Sequence, residues 1–256
     1  MIKGKDISGT PATKVTVVVT QVIRMLERKG IRAVESLDEV RGKAGVIVIR
    51  AHGVTPELEA EARALGLEVV DSTCPLVLKA HRAIDKYAAQ GYATVIVGDR
   101  GHAEVVGLMG HARGRGRVVA GPREAGKLPA FDKVNIVAQT TQEEDVFQKT
   151  AAIIKSRARE AVISDTICKP TRDRQKETME LAGKADLMIV VGARHSANTA
   201  RLAALCRRLA PRTIHVETEA EVGLEDVRLA RRIGITAGAS TPDEMTQRVF
   251  GRVQGL

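Results

Sequence analysis

The sequence predicts an α/β protein, and three observations support this fold class. Short runs rich in Val and Ile alternate with longer segments of helical apolar spacing along the 256 residues. The short runs are apolar at consecutive positions, which is typical of parallel strands covered by helices on both faces. The third observation is an internal repeat, because similar residues recur at one fixed separation along the chain.

The strands are predicted where β-branched and other apolar residues cluster over a few consecutive positions. Seven such strands are predicted, at Gly45–Arg50, Leu67–Asp71, Ala93–Gly98, Asn135–Ala138, Ala161–Ser164, Leu187–Gly192 and Ile233–Ala237.

The helices are predicted from apolar residues spaced three and four apart. Six are predicted, at Pro56–Leu65, Leu76–Gln90, Gln142–Arg159, Arg172–Ala182, Ala197–Leu209 and Pro242–Val253. Three helix starts have specific signals. Thr55 is a predicted cap with Pro56 in the first turn, and capping boxes are predicted at Thr141 and Thr241, with Pro242 as a first helical residue.

The internal repeat has a period of 94 residues. Three pairs share this separation: Asp71 and Asp165, Cys74 and Cys168, and Gly98 and Gly192. Such a period is too long for a solenoid and indicates two copies of an α/β unit. Each copy offers a cysteine and, 28 residues later, a polar residue, His102 or Ser196. Because ligands bind at the carboxyl ends of parallel strands, the two cysteines are expected to face a shared centre.

A weaker third unit precedes these two, since His52 follows a strand as His102 does. The predicted organisation is therefore a first unit of residues 1–73, a second of 74–167 and a third of 168–241. A C-terminal helix in 242–256 is expected to pack back on the first unit.

The composition bears on the class of protein and its compartment. No apolar run approaches the roughly 20 residues that span a bilayer, and the N-terminus lacks the layout of a secretory signal, so a cytoplasmic protein is expected. The net charge of +9 suits nucleic acid or a small polyanion, but aromatic residues are only 2% of the chain, which disfavours stacking on single strands. The basic run at 113–117 is interpreted first as a solvated loop.

The polar residues that follow predicted strands are the candidate site. They are His52, His102, Glu104, Thr140, Thr141, Ser196, Asn198 and Ser240. Helix N-termini beside them would favour a phosphorylated ligand. For each Ser or Thr alone, a simple helix cap is the competing interpretation. Glu104 is a candidate proton donor, and a first-turn Glu that stabilises the helix dipole is its equal alternative.

Three cysteines in a reducing compartment argue against a disulfide framework. Cys74 and Cys168 are predicted metal or redox ligands because the repeat places both at strand ends. Cys206 lies inside a predicted helix and is interpreted as a core residue. Two thiolates complete no familiar iron–sulfur or zinc site, so a third ligand is expected from elsewhere.

Seven short motifs occur in order along the chain. They are Ala51–Val54, Asp71–Val77, Gly101–Val105, Gln139–Thr141, Ile167-Cys168, Val191–Asn198 and Thr236–Pro242. With this order and spacing, the chain from about Gln21 to the C-terminus resembles the 4-hydroxy-3-methylbut-2-enyl diphosphate reductase family. Members of that family are iron–sulfur enzymes of the methylerythritol phosphate route to isoprenoids.

The resemblance implies three α/β units in a trefoil around a [4Fe-4S] cluster held by three cysteines, two of them Cys74 and Cys168. Thr140 would lie near the substrate hydroxyl group and Glu104 would supply a proton. The remaining residues are implied to bind the diphosphate: His52, His102, Ser196, Ala197, Asn198 and Ser240. Among them, Ala197 replaces a family serine.

The implied reaction is reductive dehydroxylation of a small diphosphate substrate to isopentenyl and dimethylallyl diphosphates. The implied electron donor is a ferredoxin or flavodoxin that is reduced ultimately by NADPH. Neither nucleic acid nor a membrane is an expected partner.

The first 20 residues depart from the family. They contain no cysteine where the family has its first cluster ligand, and Val18 and Val19 replace a His-Asn pair. Because the match is good from Gln21 onward, we expect a mistaken start, a frameshift or a truncated gene. The alternatives are an active reductase with another third ligand, an altered member that binds a diphosphate without a cluster, and, more distantly, a basic nucleic-acid-binding protein.

Overall fold

The computed structural model describes residues 27–43, 45–210 and 212–256. The departures at residues 1–20 lie outside this described part. The chain divides into two compact units. The first runs up to Ala120 and includes Pro129–Val137 and Arg157–Ser164, and the second comprises Gly121–Leu128, Ala138–Ser156 and Asp165–Leu256. The division into three units with limits at 73 and 167 stays a prediction.

The first unit contains a small parallel sheet of β1 (Val46–Ile49) and β2 (Glu68–Asp71). Helix α1 (Pro56–Ala64) connects these strands, and a 3-10 helix at Leu37–Val40 precedes them. The core of this layer consists of apolar side chains from all of these elements: Leu37, Val40, Ile47, Ala62 and Leu67.

A four-stranded sheet follows, with strand order β4-β3-β5-β6. Its strands are β3 (Ala93–Val97), β4 (Gly116–Val119), β5 (Phe131–Ala138) and β6 (Ala158–Ser164). Helices α2 (Pro75–Ala89) and α3 (Ala103–His111) bury apolar faces against it. The shared core is Ala80, Ile84, Ile96, Val105, Leu108, Ala112 and Val137.

The second unit contains a parallel sheet of order β8-β7-β9. Its strands are β7 (Leu187–Val191), β8 (Thr213–Val216) and β9 (Ile233–Ala237). The helices of this unit are α4 (Pro122–Ala125), α5 (Glu144–Lys155), α6 (Lys169–Ala182), α7 (Ala197–Leu209), α8 (Leu224–Val227) and α9 (Asp243–Gln254), with a 3-10 helix at Glu219–Glu221.

Strand β7 is buried at every position because the sheet is covered on both faces. Met188 and Val190 pack with residues of α6 and α7, whereas Leu187, Ile189 and Val191 pack in a second core that includes Val249 of α9. The C-terminal helix thus packs on the sheet of its own unit, and its predicted contact with the first unit stays a prediction.

All seven predicted strands are present, but two four-residue strands in the described part of the chain were missed. These are β4 and β8, which lie at sheet edges and are paired on one side only. Their sequences, GRVV and TIHV, each contain a basic residue and lack a continuous apolar run. The predicted helix at Gln142–Arg159 ends at Lys155, because β6 begins at Ala158.

The two predicted capping boxes were wrong. Helix α5 begins at Glu144 after an N-cap at Glu143, and α9 begins at Asp243 after Pro242. The hydroxyl groups have other partners: Thr241 Oγ1 donates to the Val191 carbonyl at 3.1 Å, and Thr141 Oγ1 accepts from the side chains of Gln139 and Arg201. The Thr55 cap is confirmed, since its side chain accepts the N–H of Leu58 at 3.3 Å.

Among the described residues, no helix combines the length and the apolar character needed to cross a membrane.

Candidate active site

Two predicted ligand-binding histidines contact each other in the first unit. His52 lies in the turn after β1, and His102 is the N-cap residue of α3. Their rings meet edge to face, with centroids 5.2 Å apart. Helix α3 can approach this turn closely because it carries Gly107 and Gly110. A Cβ on Gly110 would lie 2.5 Å from Thr55 Cβ, so a side chain at this position would clash with the residue that caps α1.

The environment of His52 keeps its ring neutral. Burial, reinforced by His102 and by the charge of Arg50, lowers the pKa of His52 to about 4. Its Nδ1 atom is buried and has no hydrogen-bond partner in the described part of the chain. Because an unpaired buried polar atom costs free energy, this nitrogen is suited to binding a polar ligand.

Glu104 lies in the first turn of α3 and is 1% exposed. Its backbone N–H donates to His102 Nδ1 at 3.2 Å, which orients the histidine ring and keeps the two predicted site residues together. An almost fully buried carboxyl group differs from a simple first-turn Glu, which normally faces solvent. The position therefore favours a chemical role over a purely helix-stabilising one.

Cys74 is next to the same turn. Its backbone N–H donates to the carbonyl oxygen of Ala51 at 2.9 Å, and its side chain is half-buried. The residue caps α2 with its backbone only, because no side-chain cap bond is made. The thiol is therefore available as a ligand at the start of a helix.

Cys168 occupies the corresponding place in the second unit, at the start of α6. Its backbone N–H donates to the carbonyl oxygen of Thr140 at 3.0 Å. The structure thus brings together two residues that were predicted from separate motifs. Thr140 is 6% exposed, and Cys168 is half-buried without a side-chain cap bond.

Ser196, Ala197 and Asn198 form the start of α7, where Ser196 Oγ accepts the N–H of Thr199. The Asn198 Nδ2 atom is buried, and none of the residues that the structure describes forms a hydrogen bond with it. As with His52, the free polar atom belongs to a residue predicted to bind the diphosphate. An amide nitrogen donates to phosphate oxygens, and a helix start favours anions.

The loop that carries Ser240 lies beside this helix start. The Gly238 N–H and the Thr241 hydroxyl both donate to the Val191 carbonyl, at 3.0 and 3.1 Å. Gly238 also lies directly against the Thr199 side chain, where no Cβ would fit. Ser240 itself is exposed. This packing fixes an exposed hydroxyl group close to the predicted phosphate-binding segment.

Three residues that sequence reasoning missed support these loops. Thr171, which is 4% exposed, lies one turn after Cys168 with Oγ1 at 2.8 Å from the thiol. Arg172 pairs with both Asp165 and Glu144. Arg201 of α7 donates to Thr141 Oγ1 at 3.2 Å, which ties the Thr140 loop to the helix predicted to bind phosphate. The only available signal was the spacing of Thr171 and Arg172 from the cysteine.

The cysteines fit a cluster with three thiolate ligands only in part. Cys206 is confirmed as a core residue: it is fully buried in α7, and burial raises the pKa of its thiol to about 11. The chain has three cysteines, so Cys74 and Cys168 remain as the two predicted ligands. Within residues 27–43, 45–210 and 212–256, no group of three or more His, Cys, Asp or Glu side chains is placed to hold a metal ion.

Comparison with known proteins tests the predicted family. A family model described as LytB protein matches residues 10–254, and thus begins earlier than the predicted Gln21. A 4-hydroxy-3-methylbut-2-enyl diphosphate reductase of Citrifermentans bemidjiense is 42% identical over 237 residues, which are 92% of this chain and 83% of the relative. The enzyme of the same name from Aquifex aeolicus is 40% identical over 82% of this chain and 74% of its own length.

Solved structures agree with the sequence relatives. A structure of (E)-4-hydroxy-3-methyl-but-2-enyl diphosphate reductase, described as the terminal enzyme of the non-mevalonate pathway, matches with a TM-score of 0.66 and 35% identity over 98% of this chain and 90% of that chain. A Plasmodium falciparum structure, named E-1-hydroxy-2-methyl-but-2-enyl-4-diphosphate reductase, matches with a TM-score of 0.88 and 27% identity over 96% and 79%.

These matches confirm the α/β fold class and the family predicted from the ordered motifs. The relatives are named for the reductase activity that the resemblance implied, so an oxidoreductase is confirmed at the level of the family. Because the family model spans nearly the whole sequence, this chain belongs to the LytB protein family.

Proposed function

We propose that this chain catalyses the reductive dehydroxylation of 4-hydroxy-3-methylbut-2-enyl diphosphate. In this reaction the allylic C–O bond breaks, two electrons and two protons are consumed, the hydroxyl group leaves as water, and a new C–H bond gives isopentenyl or dimethylallyl diphosphate. The observation that carries the proposal concerns two buried polar atoms, His52 Nδ1 and Asn198 Nδ2, on residues already predicted to bind the diphosphate. Neither atom has a hydrogen-bond partner among the described residues.

A diphosphate offers many acceptor oxygens, so it can satisfy such atoms where an apolar ligand cannot. In the first unit, His52 and His102 present imidazole nitrogens from adjacent positions. In the second unit, Ser196 and Asn198 lie at a helix start with the Ser240 hydroxyl group nearby. The family has a serine at the position of Ala197. Because Ala197 has no hydroxyl group, this chain has one donor fewer at that place.

Glu104 is the proposed proton donor. Its carboxyl group is buried beside His102, which is a diphosphate-binding candidate, so a bound substrate would lie within its reach. Protonation turns a hydroxyl group into water, which is a far better leaving group. Thr140, fixed by its bond to Cys168, is proposed to contact the same hydroxyl group.

Cys74 and Cys168 are the proposed cluster ligands, and a [4Fe-4S] cluster would supply the electrons when bound. The electrons would come from a ferredoxin or flavodoxin, reduced ultimately by NADPH. A cytoplasmic location, which was expected from the sequence, is part of the proposal.

A second candidate is a family member that binds a diphosphate but holds no complete cluster. It is favoured by Cys206, which is fully buried in the core and is therefore no substitute for a third thiolate ligand. Both candidates predict binding of pyrophosphate, because both use the same histidine, serine and asparagine side chains.

Anaerobic reconstitution with iron and sulfide separates the two candidates. About four irons per chain, in a cluster whose reduction is detected by EPR, supports the reductase. Pyrophosphate binding by calorimetry with little bound iron supports the second candidate. A protein that binds neither iron nor pyrophosphate contradicts both.

A further inference from the structure

Gly53, the residue after His52, lies directly against a buried histidine. A Cβ on Gly53 would be 2.7 Å from His81 Cε1 and 3.2 Å from Thr73 Cγ2. Gly53 also has a φ angle of +71°, which side-chain-bearing residues rarely adopt. The turn that carries His52 therefore rests on the His81 ring, and it can do so only because residue 53 has no side chain.

The His81 ring is itself held in place from behind. His81 is 6% exposed on α2 and stacks on His111, with centroids 4.1 Å apart and an interplanar angle of 28°. His111 Nδ1 lies 3.0 Å from both carboxylate oxygens of Asp85, one helical turn after His81 on α2. This series of contacts connects the His52 turn to two helices.

The same turn is fixed on its other side by the cysteine segment. The Ala51 carbonyl accepts the Cys74 N–H at 2.9 Å, and the Gly53 N–H donates to the Arg50 carbonyl at 3.0 Å. Backbone hydrogen bonds thus hold the turn, and the His81 ring limits how closely the turn can pack against the core. A cavity of about 190 Å³ borders the ring and is lined by His81, Asp85 and His111 among others, so removal of the ring would enlarge an existing space next to the turn.

We infer that His81 is a positioning residue, which holds His52 in place for diphosphate binding through its contact with Gly53. The inference rests on the proposed function, since it assumes that His52 binds the diphosphate. His81 acts sterically, because burial, more than its neighbours, lowers the pKa of its ring to about 4 and keeps it uncharged at neutral pH. Its proposed effect is on affinity for the diphosphate and not on the chemical step.

The test is a double-mutant cycle read by calorimetric titration of the full chain with pyrophosphate, alongside urea unfolding. The variants are Gly53→Ala, His81→Ala and the double variant. Gly66→Ala is the matched control, because Gly66 has a similar φ angle of +76° with nothing within 4 Å of an added Cβ. The control therefore measures the cost of backbone strain without a clash.

We expect Gly53→Ala to weaken pyrophosphate binding about tenfold and His81→Ala to weaken it about threefold, with Gly66→Ala binding as the wild type does. In the double variant the added methyl group has space, so its affinity should exceed that of Gly53→Ala. In the reconstituted enzyme, His81→Ala should raise KM with little change in kcat. His81→Asn gives the same test if His81→Ala does not fold.

The inference is overturned if His81→Ala lowers stability but binds pyrophosphate as tightly as the wild type, since the ring is then only a core residue. It is also overturned if the double variant binds no better than Gly53→Ala. Failure of the wild type to bind pyrophosphate overturns the proposed function itself, and so the two failures are distinguishable.

Discussion

The backbone N–H of Cys168 donates to the carbonyl oxygen of Thr140 at 3.0 Å, which joins the loop after β5 to the loop after β6. Thr166 strengthens the same junction. Its hydroxyl oxygen accepts the Ala138 N–H at 2.8 Å and donates to the Ala138 carbonyl at 2.6 Å. A proposed cluster ligand and a proposed substrate contact therefore depend on one pair of loops.

Replacing Thr166 by the isosteric valine should lower the free energy of unfolding by about 1–3 kcal/mol, because it leaves the buried N–H of Ala138 without a partner. Thr94→Val is the matched control. Thr94 is fully buried, but its hydroxyl group has no hydrogen-bond partner within residues 27–43, 45–210 and 212–256, so its replacement should leave stability unchanged or raise it. Urea unfolding of both variants checks this. Equal losses would mean that the Thr166 hydroxyl group does not stabilise the junction.

Glu104→Gln should lower kcat about 100-fold or more while leaving pyrophosphate affinity close to that of the wild type, because an amide cannot donate the proton. Glu57→Gln is the control, since Glu57 also lies in a first helical turn but is exposed. Steady-state kinetics of the reconstituted enzyme and calorimetry provide the two readouts. Unchanged kcat in Glu104→Gln would remove this residue from the proton-donor role.

The three thiols should differ in reactivity. Cys74 and Cys168 are half-buried at helix starts, whereas Cys206 is fully buried, and burial raises its pKa to about 11. Iodoacetamide at pH 8 should therefore alkylate two cysteines in the folded, iron-free protein and all three in urea. Mass spectrometry of the digested protein identifies the sites. Rapid labelling of Cys206 in the folded state would contradict its assignment to the core.

Stability should fall as pH falls from about 6.5 to 4, in part because of His81. Its folded pKa is lowered to about 4, mainly by burial, whereas the unfolded chain has an ordinary histidine pKa near 6.5. Between these values the unfolded state binds more protons, so stability is fully present above pH 6.5 and is lost towards pH 4.

The corresponding loss is at most about 3 kcal/mol. His81→Asn should flatten the dependence of unfolding free energy on pH over this range, as measured by urea unfolding at each pH. Curves of equal slope for wild type and variant would show that His81 does not titrate in this way.

The buried strands and several candidate site residues could be predicted from the sequence alone, because both predictions depend on local pattern. The run Leu187–Val191 is apolar throughout and is buried throughout. His52 and His102 were each placed after a strand and implied to bind the diphosphate, and in the structure their rings are in contact.

What the sequence could not reveal depends on contacts between distant residues. Thr241 was a predicted cap, but its hydroxyl group donates to Val191, 50 residues away in the chain. The support of Gly53 by His81 likewise arises from the packing of α2 beneath the turn after β1. A glycine next to a site histidine gives no sign, in the sequence, of which side chain it touches.

The most direct test of the proposed function is product formation by the reconstituted chain. The protein, loaded anaerobically with iron and sulfide, is incubated with 4-hydroxy-3-methylbut-2-enyl diphosphate and a dithionite-reduced viologen, and the products are separated by chromatography. We expect isopentenyl and dimethylallyl diphosphates as products, and we expect Glu104→Gln to abolish or strongly reduce their formation. Recovery of unchanged substrate from protein that carries about four irons per chain would contradict it.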